Sequence, residues 1–165
     1  MKNKKVLVVL GGNSGERKVS LDSGRACLKA LKKLGYRVST FDPKKKPLNL
    51  IDKTKADLIF NALHGKDGED GVAQSYFEYL RIPYTHSGVI SSYNAMNKII
   101  SKEIFKKKGI KSPKYFSILK DLFSEKKLYS NLKKKKISFP IIIKPVREGS
   151  SIGVNICKNF TNLYK

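Results

Sequence analysis

The chain has 165 residues, enough for one compact domain or for one domain with part of another. Hydrophobic residues make up 40% of it, which excludes wholesale disorder. Lysine and arginine number 35 against 13 aspartates and glutamates, giving a formal net charge of +22, but the lysines fall in short runs at 44–46, 106–108 and 133–136, beside turns or helix ends. That pattern reads as a solvated surface, because a nucleic-acid-binding module would interleave aromatic and basic residues on one face.

The basic start Met1-Lys2-Asn3-Lys4-Lys5 leads into the apolar run 6–10, too short for a signal-peptide core. The valine-rich run reads as a strand buried on both faces of a parallel sheet. Gly11 and Gly12 break it. A helix follows with Gly24, Cys27, Leu28, Leu31 and Leu34 on one face, and Gly35 stands where a C-terminal cap belongs. Residues 36–41 and 58–63 read as the second and third strands, and 82–84 as a short fourth. Between the last two, Val72, Tyr76, Tyr79 and Leu80 line one face of a short helix. This alternation predicts a doubly wound α/β domain, whose ligands sit beyond the carboxyl ends of the strands. The loops 11–16 and 64–71 both occupy such ends and should face one crevice.

The pattern then changes. Residues 91–108 read as one helix stopped by Gly109, residues 115–119 as a strand, and 122–132 as a lysine-rich amphipathic helix. Two apolar strands, 141–143 and 154–157, flank a glycine-serine loop and suggest a hairpin. A further helix starts after Thr161. The spacing puts a domain boundary near residue 90. No stretch reaches the roughly 18 apolar residues needed to span a bilayer. Cys27 and Cys157 belong to no metal-ligand cluster, and Cys27 reads as a small core residue of a cytoplasmic protein.

Three segments carry chemistry. In Gly11-Gly12-Asn13-Ser14-Gly15-Glu16-Arg17, glycines permit a tight turn and close approach of a ligand, and Glu16 lies near a helix start. On spacing alone Glu16 reads first as a capping residue. The run 63–71 packs three glycines, three acids and His64 into nine residues. A histidine at a strand end can donate to a carboxylate or phosphate, whereas Asp67, Glu69 and Asp70 lack the remaining ligands of a calcium-type loop. Lys144 with Glu148-Gly149-Ser150-Ser151-Ile152-Gly153 combines a point charge with backbone donors and hydroxyls, a phosphate-cradling composition without the Walker spacing.

In this order, these segments together with Pro83-Tyr84-Thr85-His86-Ser87-Gly88-Val89 and Met96-Asn97-Lys98 resemble the N-terminal half of the D-alanine–D-alanine ligase family, within the ATP-grasp superfamily. The resemblance runs from Val6 to about Val154. It implies a Rossmann-like (pre-ATP-grasp) parallel-sheet domain over 1–90 that binds substrate. The incomplete start of an ATP-grasp domain follows over 91–165. It implies ATP-dependent joining of two D-alanines through a D-alanyl phosphate, for peptidoglycan synthesis. By resemblance, Glu16 would hold the ammonium of the first D-alanine and Ser150 would fix that glutamate. His64 would lie near the substrate carboxylate. Lys98 and Lys144 would contact ATP phosphates, and Gly149, Ser150 and Ser151 would cover the transferred phosphate. The family commonly has Asp where Asn97 stands, and a modest effect is expected from the lost charge.

Family enzymes are about twice this length. The Mg2+ ligands, the adenine-binding segment and the arginine that stabilises the tetrahedral intermediate would lie further on, and no metal ligand maps here. The chain therefore reads as an N-terminal fragment, inactive alone, of a protein that pairs as a homodimer by family resemblance. A D-alanine–D-lactate ligase, another ATP-grasp ligase, an inactive paralogue and a basic nucleic-acid-binding module are the competing readings.

Overall fold

The computed structural model describes residues 4–163. Its N-terminal part is built on three parallel strands, β1 (Lys5–Val9), β2 (Arg37–Phe41) and β3 (Leu58–Asn61), in the order β2-β1-β3. The central strand pairs along its length with β2, from Lys5 opposite Arg37 to Val9 opposite Phe41. It pairs with β3 from Val6 opposite Leu58 to Val9 opposite Asn61. Successive side chains of β1 point to opposite faces. Leu7 and Val9 pack with Phe41, Ile51, Ile59 and Phe77 on one side. Val8 and Leu10 pack on the other, under Leu21, Leu28 and Leu31 of helix α1 (Arg17–Lys33). Both faces are covered, which is why the strand has no polar residue between Val6 and Val9.

Helix α1 ends as its sequence dictates: Gly35 takes φ +85, and its N–H donates to the Lys32 carbonyl. Helix α2 (Val72–Tyr79) covers the other face of the sheet, but not with the expected stripe. Its buried residues are Ala73, Gln74 and Phe77, while Val72 and Tyr79 are exposed. Gln74 is drawn inward because its Nε2 donates to the Gly68 carbonyl at 2.8 Å, a pull that hydrophobic periodicity does not register.

The fourth strand is reduced to a single parallel bridge, Ile59 with Tyr84. Pro83 has no N–H to donate. One ladder bond is replaced by a side chain, with Asn61 N donating to Thr85 Oγ1 at 3.0 Å. The expected helix 91–108 is two helices, α3 (Val89–Met96) and α4 (Lys98–Lys107). Asn97 breaks the run with φ −89 and ψ 105, and its Oδ1 accepts from Ile99 N and Ile100 N. An aspartate would cap identically, so the asparagine keeps this architecture.

Residues 115–119 form no strand. Among the described residues no ladder partner pairs with them, and an extended segment without a paired neighbour is not a sheet strand. Helix α5 (Glu125–Lys135) starts later than expected, with Ser124 accepting from Lys127 N as its cap. Its last turn carries Lys133, Lys134 and Lys135, where the helix dipole favours cations. Strands β4 (Ile141–Ile143) and β5 (Asn155–Cys157) pair antiparallel, as the hairpin reading requires. The final turn is a short 3-10 segment, Phe160–Leu163. Any continuation into residues 164 and 165 lies outside the described residues, as do Met1, Lys2 and Asn3 of the signal-peptide reading.

Gly24 shows how closely α1 lies on the sheet: a Cβ there would stand 2.6 Å from Leu10 Cβ. Alanine in a helix interior gains about 1 kcal/mol over glycine, but overpacking a core costs roughly 1–3 kcal/mol. Gly24→Ala is therefore expected to lower the urea midpoint of the protein. An unchanged or raised midpoint would contradict this close packing.

Candidate functional site

The loop 10–16 runs off the carboxyl end of β1, and a polar network holds it there. Gly11 N donates to Ser20 Oγ at 2.8 Å, and Ser20 Oγ donates to the Ala62 carbonyl at 2.6 Å, both buried. Arg17 grips Asp42, at the end of β2, with Nη1 at 3.0 Å and Nη2 at 2.7 Å. Arg17 Nη1 also donates to the Gly12 carbonyl, while Asp42 accepts from Gly12 N. The bidentate hydrogen bond from Arg17 holds the Asp42 carboxyl at about 2, aided by the N–H groups of Gly12 and Lys44 and opposed by burial. Ser14 Oγ donates to the His64 carbonyl at 2.6 Å, which ties this loop to the loop after β3. The two loops do face one crevice.

Glu16 sits at the N-cap position of α1, yet its side chain caps nothing. It is 3% exposed. Ser150 Oγ donates to its Oε2, and its Oε1 has no hydrogen-bond partner. Two glycines wall it in: a Cβ added at Gly65 or at Gly149 would stand 2.7 Å from Oε1. Gly65 also takes φ +70, a conformation that favours glycine. Burying a carboxylate oxygen without a partner is costly. The oxygen therefore keeps the capacity to accept a bond from a cationic or donor group.

His64 lies beside it. Its Nε2 is 3.0 Å from Ser23 Oγ, and its Nδ1 is 3.7 Å from Glu69 Oε1. The acids of the 64–71 loop serve mainly the loop itself. Glu69 Oε2 accepts from Gly65 N, and the Asp70 carboxylate accepts from Asp67 N and Val72 N. A cleft of about 330 Å3 opens here, lined by Ser23, Cys27, His64, Glu69, Gln74 and His86 among others. Cys27, expected in the core, is half-buried on this cleft. A larger hollow of about 520 Å3 beside β5 gathers no titratable cluster and is not a candidate site.

The loop after β4 closes the arrangement. It is fastened to the start of α4, with Lys98 N donating to the Val146 carbonyl at 3.1 Å and Lys98 Nζ to the Glu148 carbonyl at 2.5 Å. Ser150 and Ser151 adopt φ +46 and +61, a strained conformation for serine that turns the hydroxyl of Ser150 onto Glu16. Ile152 reaches across to Gly15. Burial lowers the pKa of Lys98, and the neighbouring Lys144 lowers it further, while Glu148 and Glu16 act the other way. Two lysines thus share one space, an arrangement that an anion would relieve.

Of the residues singled out from sequence, Glu16, His64, Gly149 and Ser150 converge directly, with Lys98 and Lys144 together behind them. Ser151 lies exposed on the same loop. Asp42, Ser20 and Ser23 were not anticipated, because each acts through a partner from another strand or loop. The one signal in the sequence is the Asp42-Pro43 pair directly after β2, a combination that ordinarily just ends a strand.

The fold is that of the ATP-grasp ligases. The family profile described as "D-ala D-ala ligase N-terminus" matches residues 41–87, and "D-ala D-ala ligase C-terminus" matches residues 104–165. A D-alanine–D-alanine ligase from Pelagibacter ubique is 48% identical over 165 residues, 98% of this chain and 52% of that protein. The crystal structure of a D-alanine–D-alanine ligase from Bacillus anthracis superposes with TM-score 0.82 at 34% identity, over 98% of this chain and 51% of that one. The same enzyme's complex with ATP gives TM-score 0.79 at 33% identity, over 99% and 51%. The chain belongs to the D-alanine–D-alanine ligase family. It spans about half the length of the relatives it matches.

The Arg17–Asp42 pair makes a prediction about pH. The folded-state value of Asp42, about 2, lies below the ordinary aspartate value near 3.9. Its stabilising contribution is therefore complete above about pH 4 and is lost as pH falls through about 2. Urea midpoints of the wild type should drop across that window, and Asp42→Asn should show a shallower drop. Equal slopes would contradict the assignment.

Proposed function

We propose that the protein carrying this chain is an ATP-dependent D-alanine–D-alanine ligase of peptidoglycan synthesis and that Glu16 seats the ammonium of the first D-alanine. The observation that carries this reading is the buried, partnerless Oε1 of Glu16 at the mouth of the sheet. An ammonium is a compact cation with three donors, and a charge-assisted bond to Oε1 would satisfy that oxygen. Ser150 acts on the opposite oxygen and so fixes the carboxylate's direction. His64, anchored through Nε2 to Ser23, lines the same crevice and would lie near the amino acid's own carboxylate.

In the reaction, that carboxylate would take up the γ-phosphoryl group of ATP. The amine of a second D-alanine would then attack the acyl carbon of that acyl phosphate, forming the C–N bond as the C–O bond breaks, with inorganic phosphate leaving and the amine losing a proton. Lys98, whose pKa burial and the neighbouring Lys144 lower, would hold the ATP phosphates together with Lys144, and the amides and hydroxyls of Gly149, Ser150 and Ser151 would cover the transferred group. Among the described residues the three-ligand cluster includes the imidazole of His64. The Mg2+ implied by the family asks for an oxygen shell, so these residues do not fit it.

Two further readings go with this one. A domain boundary near residue 90 divides a substrate-binding part, 1–90, from a partial ATP-grasp part, 91–165. It is supported by the gap between the two family profiles, at 87 and 104. A homodimer is supported by the exposed apolar side chains of Val72, Tyr79 and Ile90 on α2 and α3. The protein would work in the cytoplasm; among the described residues no helix is long and apolar enough to cross a membrane.

The test is D-alanine-dependent phosphate release from ATP by the complete protein that contains these residues. Removing one partner of a buried charged contact costs about 2 kcal/mol or more, roughly thirtyfold or more in kcat/KM. Glu16→Gln is expected to lose that much for D-alanine while ATP binding stays within about twofold. Phosphate release that ignores D-alanine would overturn the reading. For Ser150, Ser150→Gly should lose activity as Ser150→Ala does, although glycine relieves the positive φ, because the hydroxyl is what matters.

A further inference from the structure

Glu16 is not the only group at this spot with bonding capacity to spare. One carboxylate oxygen of Glu16, one ring nitrogen of His64 and one carboxylate oxygen of Glu69 lie within 4.8 Å of one another. The identity of the available atoms follows from their other bonds. Ser150 occupies Glu16 Oε2, leaving the buried Oε1. Gly65 N occupies Glu69 Oε2 at 2.7 Å, leaving Oε1. Ser23 Oγ lies 2.9 Å from the Val19 carbonyl, to which it donates, so toward His64 it acts as acceptor and Nε2 carries the proton. That tautomer leaves the lone pair of Nδ1 directed at Glu69 Oε1, 3.7 Å away. Among the described residues no lysine or arginine pairs with Glu16, and Lys98 Nζ is tied to the carbonyls of Val146 and Glu148.

We propose that Glu16, His64 and Glu69 form a binding site for one divalent first-row transition cation, with Zn2+ as the type ion. An imidazole and two carboxylates are ligands such ions accept. Metal–ligand bonds of about 2.0–2.2 Å put tetrahedral ligand atoms roughly 3.3–3.6 Å apart. His64 and Glu69 already stand near that separation, and Glu16 offers its oxygen within 4.8 Å of both. The fourth position is left to water. The Nε2–H bond to Ser23 is the outer-shell contact that orients a ligating histidine. Mg2+ is disfavoured by the imidazole, so the site discriminates against the ion that accompanies ATP. Because the metal takes Glu16 Oε1, it occupies the seat of the substrate ammonium and excludes the amino acid. This consequence, unlike the metal site itself, rests on the function proposed above.

The test is calorimetric titration of the metal-stripped protein with Zn2+ alone, without nucleotide, and with Co2+ as a visible-absorption probe of four-coordinate geometry. One equivalent is expected to bind, weakened about tenfold or more in Glu69→Gln and in His64→Asn. Glu69→Gln retains the acceptor for Gly65 N and so keeps the loop folded, which circular dichroism would verify. Cys27→Ser, which removes the one thiol on the cleft, is expected to leave binding unchanged. No binding, or binding lost in Cys27→Ser but kept in Glu69→Gln, would overturn the proposal. D-alanine should raise the apparent Kd for Zn2+ more than L-alanine, which chelates the metal in solution equally well. If the two enantiomers act alike while Glu69→Gln and His64→Asn still weaken binding, the metal site stands and the ammonium role of Glu16 falls.

Discussion

The Glu16 carboxylate reaches its position only through chain segments that are far apart in sequence. Ser150, which holds its Oε2, is 134 residues away, and the glycines that press on Oε1 come from the loops after β3 and after β4. A carboxylate this deeply buried would ordinarily be neutralised or paired. Here one oxygen is paired and the other is not. The free energy for holding that arrangement comes from the surrounding rigid parts: the buried residues 6–9 of β1, the Ser20 bridge between the first and third strand ends, and the Arg17–Asp42 clamp on the glycine turn. The site depends on the sheet because the paired strand ends set where those loops begin.

The second constraint is how the loop carrying Ser150 is fixed. It hangs from the N-terminus of α4, where Lys98 engages the Val146 and Glu148 carbonyls and Asn97 caps the helix. Lys98 therefore belongs both to this anchor and to the pair of lysines that an anion would relieve. A phosphate bound between Lys98 and Lys144 would act on the loop that positions Glu16. The proposed nucleotide and amino acid sites would in this way be joined by one short stretch of backbone.

Much of this was legible in the sequence. The valine-rich β1, the glycine stop of α1 and the hairpin around the glycine-serine loop each carry a local signal, and each formed as read. Glu16, His64, Lys98, Lys144 and Ser150 were identified through resemblance, since the spacing around Glu16 alone favoured a cap. What failed to show was set by tertiary contacts. The buried stripe of α2 is decided by Gln74 reaching the Gly68 carbonyl, and polarity alone argued against that position. The break at Asn97 was hidden in an unbroken helical pattern. Asp42 and Ser23 have their roles only because other elements bring Arg17 and His64 to them.

The most direct measurement is a crystal structure of the protein with D-alanine bound. The account predicts the amino acid's ammonium nitrogen about 2.7–2.9 Å from Glu16 Oε1, a charge-assisted distance, with Ser150 still on Oε2. D-alanine bound elsewhere, or seated in the crevice with its ammonium away from Glu16, would contradict it.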